Sequence, residues 1–254
     1  MNFLYQYDEA FYRYINRGSL DSAAVVVPLL VNALGQTPTS VLDLGCGAGA
    51  WLTVWKNHGA KICGIDGEYL EAASLLIAEN EFHAGDVAAP VQLDQHFDLA
   101  QCLEVAEHIA TEAGAQLIAN LCNHADMVLF SAAPPGQGGE NHQNEQPYGY
   151  WRDLFLAQGF QLYDPLRGEL VGNRAVMPWY RYNTFLYLRA EAKPDLHQRL
   201  ADFLVEPEQE PIDIAPAIYR FRRRMLALLP LSIISAIAVL KKSLAIRFQG
   251  QTQS

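Results

Sequence analysis

The chain predicts an α/β fold: a doubly wound, mostly parallel seven-stranded sheet with one antiparallel strand, followed by a helical tail. Three observations carry this. Short apolar runs alternate with helical stretches between residues 41 and 190. The runs are short and apolar, as strands covered on both faces are. The first of them opens VLDLGCGAGAWL, residues 41–52, where three glycines at alternate positions separate a strand from a helix.

The N-terminal residues, 1–34, read as a helical cap. Residues 8–17 predict a short aromatic helix, and SLDS at 19–22 starts an apolar one, AAVVVPLLVNAL, kinked at Pro28. QTPT at 36–39 breaks it. Strands are predicted at 41–44, 61–66, 81–86, 97–103, 126–133, 160–165 and 184–190. Helices are predicted between them at 49–58, 68–79, 110–124 and 148–158. The last two strands follow one another without a clear helix, so one of them runs antiparallel. Residues 35–190 form the core. In the weaker region 191–218, residues 195–205 read as a helix and EPEQEPIDIAP, 206–216, as an acidic linker with three prolines. A basic, apolar helical tail, 219–254, follows.

Half of the 254 residues are apolar and 18% are charged, which supports a packed core and excludes general disorder. The net charge is −10, yet residues 219–254 contain seven Lys/Arg and no acid, so residues 1–218 carry −17. Such a body repels nucleic acid, and only the tail attracts an anionic surface. Cys46, Cys63, Cys102 and Cys122 occur singly, without CxxC or zinc spacing, and read as reduced thiols of a cytoplasmic protein. The N-terminus lacks a basic region followed by an apolar one, so no signal peptide is expected.

In a doubly wound sheet, ligands bind beyond the carboxyl ends of the strands. Gly45, Gly47 and Gly49 fall there. Their spacing, with Ala50, also fits a dinucleotide fingerprint, so a nucleotide-binding oxidoreductase is one reading and a bare tight turn another. Three acids at successive strand ends sharpen the choice. Asp43 lies two residues before the first glycine, where a carboxylate can face an ammonium group. Asp66 ends the second strand, where an acid takes a ribose diol. Asp86, in GDV, could accept from an adenine amino group. Any one of them could be a helix cap or a solvated loop residue. A pyrophosphate would be opposed by Asp43.

VLDLGCGAGAWL, GID, GDV and FDLAQCLEVAEHI together resemble the successive motifs of the class I S-adenosylmethionine-dependent methyltransferases. More narrowly, they resemble the subgroup that includes the ubiquinone-biosynthesis O-methyltransferases, with a similar C-x-E-x-x-E-H segment. The resemblance covers about residues 35–190. It implies a Rossmann-like sheet with the last-formed strand antiparallel, S-adenosyl-L-methionine as cofactor and S-adenosyl-L-homocysteine as product. On this resemblance Asp43, Gly45 and Gly47, with Cys46 between them, hold the methionine end. Asp66, beside Gly67, takes the ribose hydroxyls. Asp86 and the Val87 amide face adenine, and the backbone at Cys102 and Leu103 passes beneath the sulfonium.

Methyl transfer from a sulfonium is an in-line displacement. The protein must align the acceptor, exclude water and, for an oxygen nucleophile, remove a proton. Glu104, Glu107 and His108 follow the fourth strand. His108 is a candidate general base or acceptor contact, or else a helix-capping histidine. The loop SAAPPGQGGENHQNEQPYGYW, 131–151, has four glycines and three prolines and is long enough to be functional. Its NHQNEQPYGYW segment resembles the acceptor-side loop of methyltransferases from glycan and natural-product pathways. On that resemblance His142, Asn144, Glu145 and Gln146 are polar acceptor contacts, accompanied by Tyr150 and Trp151. His142 is the first choice for proton acceptor, because an unperturbed imidazole titrates near neutrality; a solvated loop histidine is the alternative. Tyr12, among Tyr5, Tyr7, Phe11 and Tyr14, would belong to an aromatic wall on the N-terminal helix. Arg174 and Arg181 could bind a substrate carboxylate or phosphate. No carboxylate cluster of the metal-dependent catechol type is legible, so no metal is expected.

The tail holds an uncharged run of 16 residues, 225–240, short of the ~20 a membrane span needs and interrupted by Pro230. Ile233, Ile237, Leu240 and Leu244 share one helical face. Residues 220–248 could dock on the domain or on a second subunit. They could instead lie peripherally on the inner membrane surface through Arg222–Arg224 and Lys241–Lys242, or span the bilayer. The expected function is methyl transfer to an oxygen, less readily a nitrogen, of a small metabolite, sugar or natural product. The rivals are the oxidoreductase and a catalytically silent cofactor-binding or membrane-adaptor protein.

Overall fold

The structure, a computed structural model, describes residues 9–70, 72–229 and 233, with side chains from residue 16 onward. In chain order the elements are α1 (Glu9–Leu34), β1 (Ser40–Leu44), α2 (Ala50–Asn57), β2 (Lys61–Asp66), β3 (Phe82–Ala84), β4 (Leu99–Leu103), α3 (Gly114–His124) and β5 (Met127–Ser131). Then come α4 (Tyr148–Ala157), β6 (Phe160–Tyr163), α5 (Arg167–Leu170), α6 (Pro178–Asn183), β7 (Phe185–Arg189), α7 (Pro194–Arg199), β8 (Leu204–Val205) and α8 (Ala217–Leu226). Among the described residues one sheet has the strand order β3-β2-β1-β4-β5-β7-β6-β8. β1 to β5 pair in parallel, and β7 runs antiparallel to both β5 and β6.

Three expectations change. The sheet has eight strands rather than seven, because Leu204 and Val205 pair antiparallel with Tyr163 and Leu162. Two residues are too few to show a period in the sequence. The helix expected at 68–79 does not form; residues 72–74 make a single 3₁₀ turn. The Leu76 amide donates instead to the Ala48 carbonyl at 2.8 Å, and Ile77 packs over Gly49. Contact with the glycine turn outweighs local helix propensity there. Finally, the two N-terminal helices are one, with Pro28 inside it. Residues 16–34 of this helix are long and apolar enough to cross a membrane by length and composition. Its Ala23, Val26, Val27, Leu30 and Leu34 are nonetheless buried in a core shared with Trp51, Leu52 and Trp55 of α2, as in a core helix of the domain.

Strand alternation decides what each face of the sheet holds. Val41 joins the core beneath α1 and α2, whereas Leu42 and Leu44 join the core beneath α3 and α4. Asp43 therefore points to the α2 side, where it is buried and in register with Gln101 of β4. The parallel strands end together at one edge, and the glycine turn and the loops after β2, β4 and β5 meet there.

Candidate active site at the carboxyl edge of the sheet

The turn between β1 and α2 is built on glycine. The Gly45 and Cys46 amides both donate to the Ile65 carbonyl, at 2.8 and 3.2 Å. A Cβ on Gly45 would stand 2.4 Å from a Val105 methyl, so this glycine serves packing against the segment after β4. Gly47 differs. It has φ 52°, and a Cβ there would meet nothing within 4 Å among the described residues. Its open side is where a ligand can lie against bare backbone.

Asp43 is held from within the core. Trp55 Nε1 donates to Gln101 Oε1 at 2.8 Å, and Gln101 Nε2 donates to Asp43 Oδ2 at 2.8 Å. Burial pushes the Asp43 carboxyl up to about 7, against the Gln101 hydrogen bond and with help from the Asp66 charge. A buried carboxylate in that state favours a cationic partner. Asp66 sits at the end of β2. Its Oδ2 accepts from the Gly47 amide at 2.6 Å, and its Oδ1 from the Gly67 amide at 2.7 Å and from the Tyr69 hydroxyl. A carboxylate anchored by two backbone donors, with a further hydroxyl on it, is suited to a diol. Exposed Asp86 closes its own turn by accepting from the Ala88 amide at 2.9 Å, and Val87 beside it is buried. Cys102 and Leu103 are buried at the end of β4, and Cys46 is buried in the turn.

The second half of the site follows β4. Glu104 adopts φ 58°, a left-handed backbone at a residue other than glycine, of the kind that collects at functional sites. It accepts from Gln137 Nε2 at 2.7 Å and Asn183 Nδ2 at 3.3 Å. Burial raises its pKa despite these bonds. Burial also drives Glu107 far up, and the Glu104 charge adds to it. Glu107 Oε2 is buried with no hydrogen-bond partner among the described residues. Burial pulls His108 down to about 4, and neighbouring His142 adds to the effect. The two imidazoles meet edge to face, with centroids 4.8 Å apart.

The 131–147 loop is tied together by Glu145. This carboxylate accepts from the Gly136 amide at 2.7 Å, the Gly138 amide at 2.8 Å and His142 Nδ1 at 2.8 Å. Against its burial, the bonds from His142 and from these amides hold Glu145 below the ordinary carboxylate range. The arrangement is a histidine oriented by a carboxylate, the usual form of a positioned general base. One donor atom each from Glu107, His108 and His142 lies within 4.8 Å of the others. This mixed set could hold a cation, which qualifies the expectation that no metal is bound.

Several expected acceptor residues have other work. Asn144 is buried and accepts from Thr111 Oγ1 and Gln146 Nε2 while donating to the Ala106 carbonyl, so it buckles the loop to the segment after β4. Trp151 is buried against Phe130 and Tyr150. The Tyr150 hydroxyl reaches only the Thr111 carbonyl, at 3.5 Å. Arg181 donates from Nε and Nη2 to the Val176 carbonyl, which leaves little of its fork for a substrate. Tyr12, with Tyr5, Tyr7, Phe11 and Tyr14, lies outside the described side chains.

Conversely, Gln101, Tyr69, Gln137 and Asn183 were not anticipated. Gln101 did carry a signal, a polar residue amid the apolar strand LAQCL. α8, the start of the tail, lies against this half of the site, in line with the docking on the domain that was one reading of the tail. Its Arg223 carbonyl lies against Gly136, Arg222 Nη2 approaches the Gln137 carbonyl at 3.5 Å, and Tyr219 packs on Tyr182 with centroids 5.4 Å apart.

Comparison with known proteins bears on this geometry. The family described as Methyltransferase domain matches residues 21–166. The ubiquinone biosynthesis O-methyltransferase of Serratia proteamaculans is 29% identical over 111 residues, 41% of this chain and 46% of that protein. The protein of the same description from Yersinia pestis is 32% identical over a stretch of the same length and coverage. The chain thus spans less than half the length of these curated relatives. Among solved structures, the sugar N-methyltransferase KedS8 from Streptoalloteichus superposes with a TM-score of 0.59 at 16% identity, over 75% of this chain and 96% of that one. Magnesium protoporphyrin IX methyltransferase from Synechocystis with bound SAH gives 0.53 at 22% identity, over 73% and 89%. At these identities the structural likeness is one of fold.

Proposed function

Since this chain belongs to the Methyltransferase domain family, we propose that it is an S-adenosylmethionine-dependent methyltransferase acting on a hydroxyl of a small-molecule acceptor. The observation that carries the reading is the pairing, at one sheet edge, of a glycine turn flanked by buried Asp43 and Asp66 with a histidine held by a carboxylate. Asp43 would face the ammonium, the open side of Gly47 the methionine backbone, and Asp66 the ribose hydroxyls. Asp86 and Val87 would border adenine, and the backbone of Cys102 and Leu103 the sulfur. The residues present fit this cofactor, which supplies a methyl group already activated on a sulfonium. The protein's share is alignment, exclusion of water and, for a hydroxyl nucleophile, removal of the proton. His142, oriented by Glu145, takes that role, and an oriented base favours oxygen over an already nucleophilic amine. Half-buried His108 is the weaker base, because its imidazole protonates only near pH 4.

Asp43 makes the reading testable without an acceptor. In the free protein its carboxyl titrates at about 7. An ammonium ligand binds the ionised form, so below that pH a proton must leave on binding. Affinity for S-adenosylmethionine should therefore fall about tenfold per unit below pH 7 and level off above it. Calorimetric titrations across this range, with NADH alongside, check the slope. A flat profile would remove Asp43 from the ammonium, and preferential binding of NADH would restore the oxidoreductase.

The unpartnered Glu107 Oε2 favours a second reading of the acceptor half. One carboxylate and two imidazoles within 4.8 Å suit a borderline divalent cation. Such an ion would leave Glu107 ionised and could hold the acceptor oxygen. On this reading Mn²⁺ or Zn²⁺ should bind at one equivalent and raise the melting temperature, and Glu107→Gln should lose both effects. If neither ion binds the parent protein, the histidine acts alone.

A further inference from the structure

We infer that α8 docks the protein on an anionic membrane surface, beside the loop that carries His142. The inward side of the helix is accounted for. Tyr219 packs on Tyr182, and buried Arg223 pairs with Asp213 while its carbonyl lies on Gly136. The outward side is the anomaly. Ile218 is 76% exposed, Phe221 61%, Met225 51% and Leu228 78%, and Leu229 is exposed as well. At 100° per residue Ile218, Phe221 and Met225 share one face of α8, and exposed Leu228 and Leu229 follow in the turn just beyond the helix. A helix on a globular domain normally turns its apolar stripe towards the core. Here it faces away from the core, and clustered exposed apolar side chains mark an interaction site.

The flanks of the stripe identify the partner. Exposed Arg220 and Arg224 border it on one side and half-buried Arg222 on the other. No acid occurs in residues 219–254, while residues 1–218 carry −17. An apolar stripe between arginines is the pattern of a helix lying in the headgroup region of an anionic bilayer, with its apolar side chains inserted. The opposite sign of the body favours this orientation, because residues 1–218 carry a net negative charge that an anionic surface repels on balance. A second copy meeting this stripe across a two-fold axis would bring arginines against arginines without an acid between them. α8 touches the Gly136–Gln137 turn directly, so docking sets the acceptor loop beside the bilayer. An acceptor held there would have a polar, methylatable head on an apolar anchor. That last step rests on the methyltransferase reading; the docking does not.

Flotation of the full chain with vesicles tests this, using phosphatidylcholine with and without phosphatidylglycerol. The parent should rise only with the anionic vesicles. The double change Phe221→Glu with Met225→Glu should lower the bound fraction about tenfold or more. Phe221→Ser with Met225→Ser should do so too, which separates lost insertion from added repulsion. Melting temperature and S-adenosylmethionine affinity, read on the same samples, should stay unchanged in both variants, so each reading can fail by itself. Docking by α8 is overturned if the parent does not float, or if both variants float like the parent. It is also overturned if light scattering shows a dimer that the variants convert to monomer, since the stripe then belongs to a second copy.

Discussion

His142→Ala should lower kcat on a hydroxyl acceptor by about 10²- to 10⁴-fold, the usual contribution of a positioned general base. The affinity for S-adenosylmethionine should not change, because His142 lies on the loop after β5 and touches none of the residues of the glycine turn. The reason for so large an effect is orientation. Glu145 holds His142 Nδ1 at 2.8 Å and is itself fixed by the Gly136 and Gly138 amides. Loss of the ring removes a proton acceptor that the fold has already placed. Glu145→Gln should give a smaller loss, because the ring keeps its place on the loop but loses the carboxylate that orients it. Release of S-adenosylhomocysteine, followed at saturating cofactor, is the measurement. An unchanged kcat in His142→Ala would assign the proton transfer elsewhere. A parent protein that binds cofactor yet releases no product with any acceptor would be the silent adaptor.

The second large effect is expected at Asp66. Asp66→Ala should weaken S-adenosylmethionine and S-adenosylhomocysteine alike by about 10²- to 10⁴-fold. That is the worth of two charge-assisted hydrogen bonds to a diol at roughly 1.5–3 kcal/mol each. The same carboxylate fastens the Gly47 and Gly67 amides, so the change also loosens the turn. Asp66→Asn separates the two contributions. It keeps an acceptor for only one of the two amides, so it should lower the melting temperature less than Asp66→Ala does, while losing most of the affinity. Both variants binding the cofactor as the parent does would place the ribose elsewhere.

The positions of the glycine turn and its acids were largely legible, because each stands at a strand end that the apolar runs announce. Asp43, Gly47 and Asp66 could be placed from local pattern alone. The acceptor half resisted because its organisation is non-local. Asn144 looked like a ligand contact but closes the loop onto Ala106, and Arg181 looked like an anion site but grips the Val176 carbonyl. No spacing in the sequence distinguishes a polar side chain that faces a ligand from one that satisfies backbone. The helix expected at 68–79 failed for a related reason. Its residues have the propensity, but Ile77 is needed over Gly49, and the chain gives up the helix to reach it. β8 and the α8 stripe were hidden in another way, one by its length and the other by where its neighbours lie.

The place of β7 in the sheet has a consequence for how the protein is made. The ribosome delivers β6 before β7, yet β7 must enter between β6 and β5. Until residues 185–189 emerge, the edge of β5 at Met127–Phe130 has no partner, and it is apolar. Asn183, which holds Glu104, and α8, which covers the Gly136 turn, arrive in the same late stretch. A nascent chain therefore finishes the side that carries the glycine turn well before the side that carries His142. Chains that stop short of β7 would present an open hydrophobic strand edge and depend on chaperones or proteases for their fate.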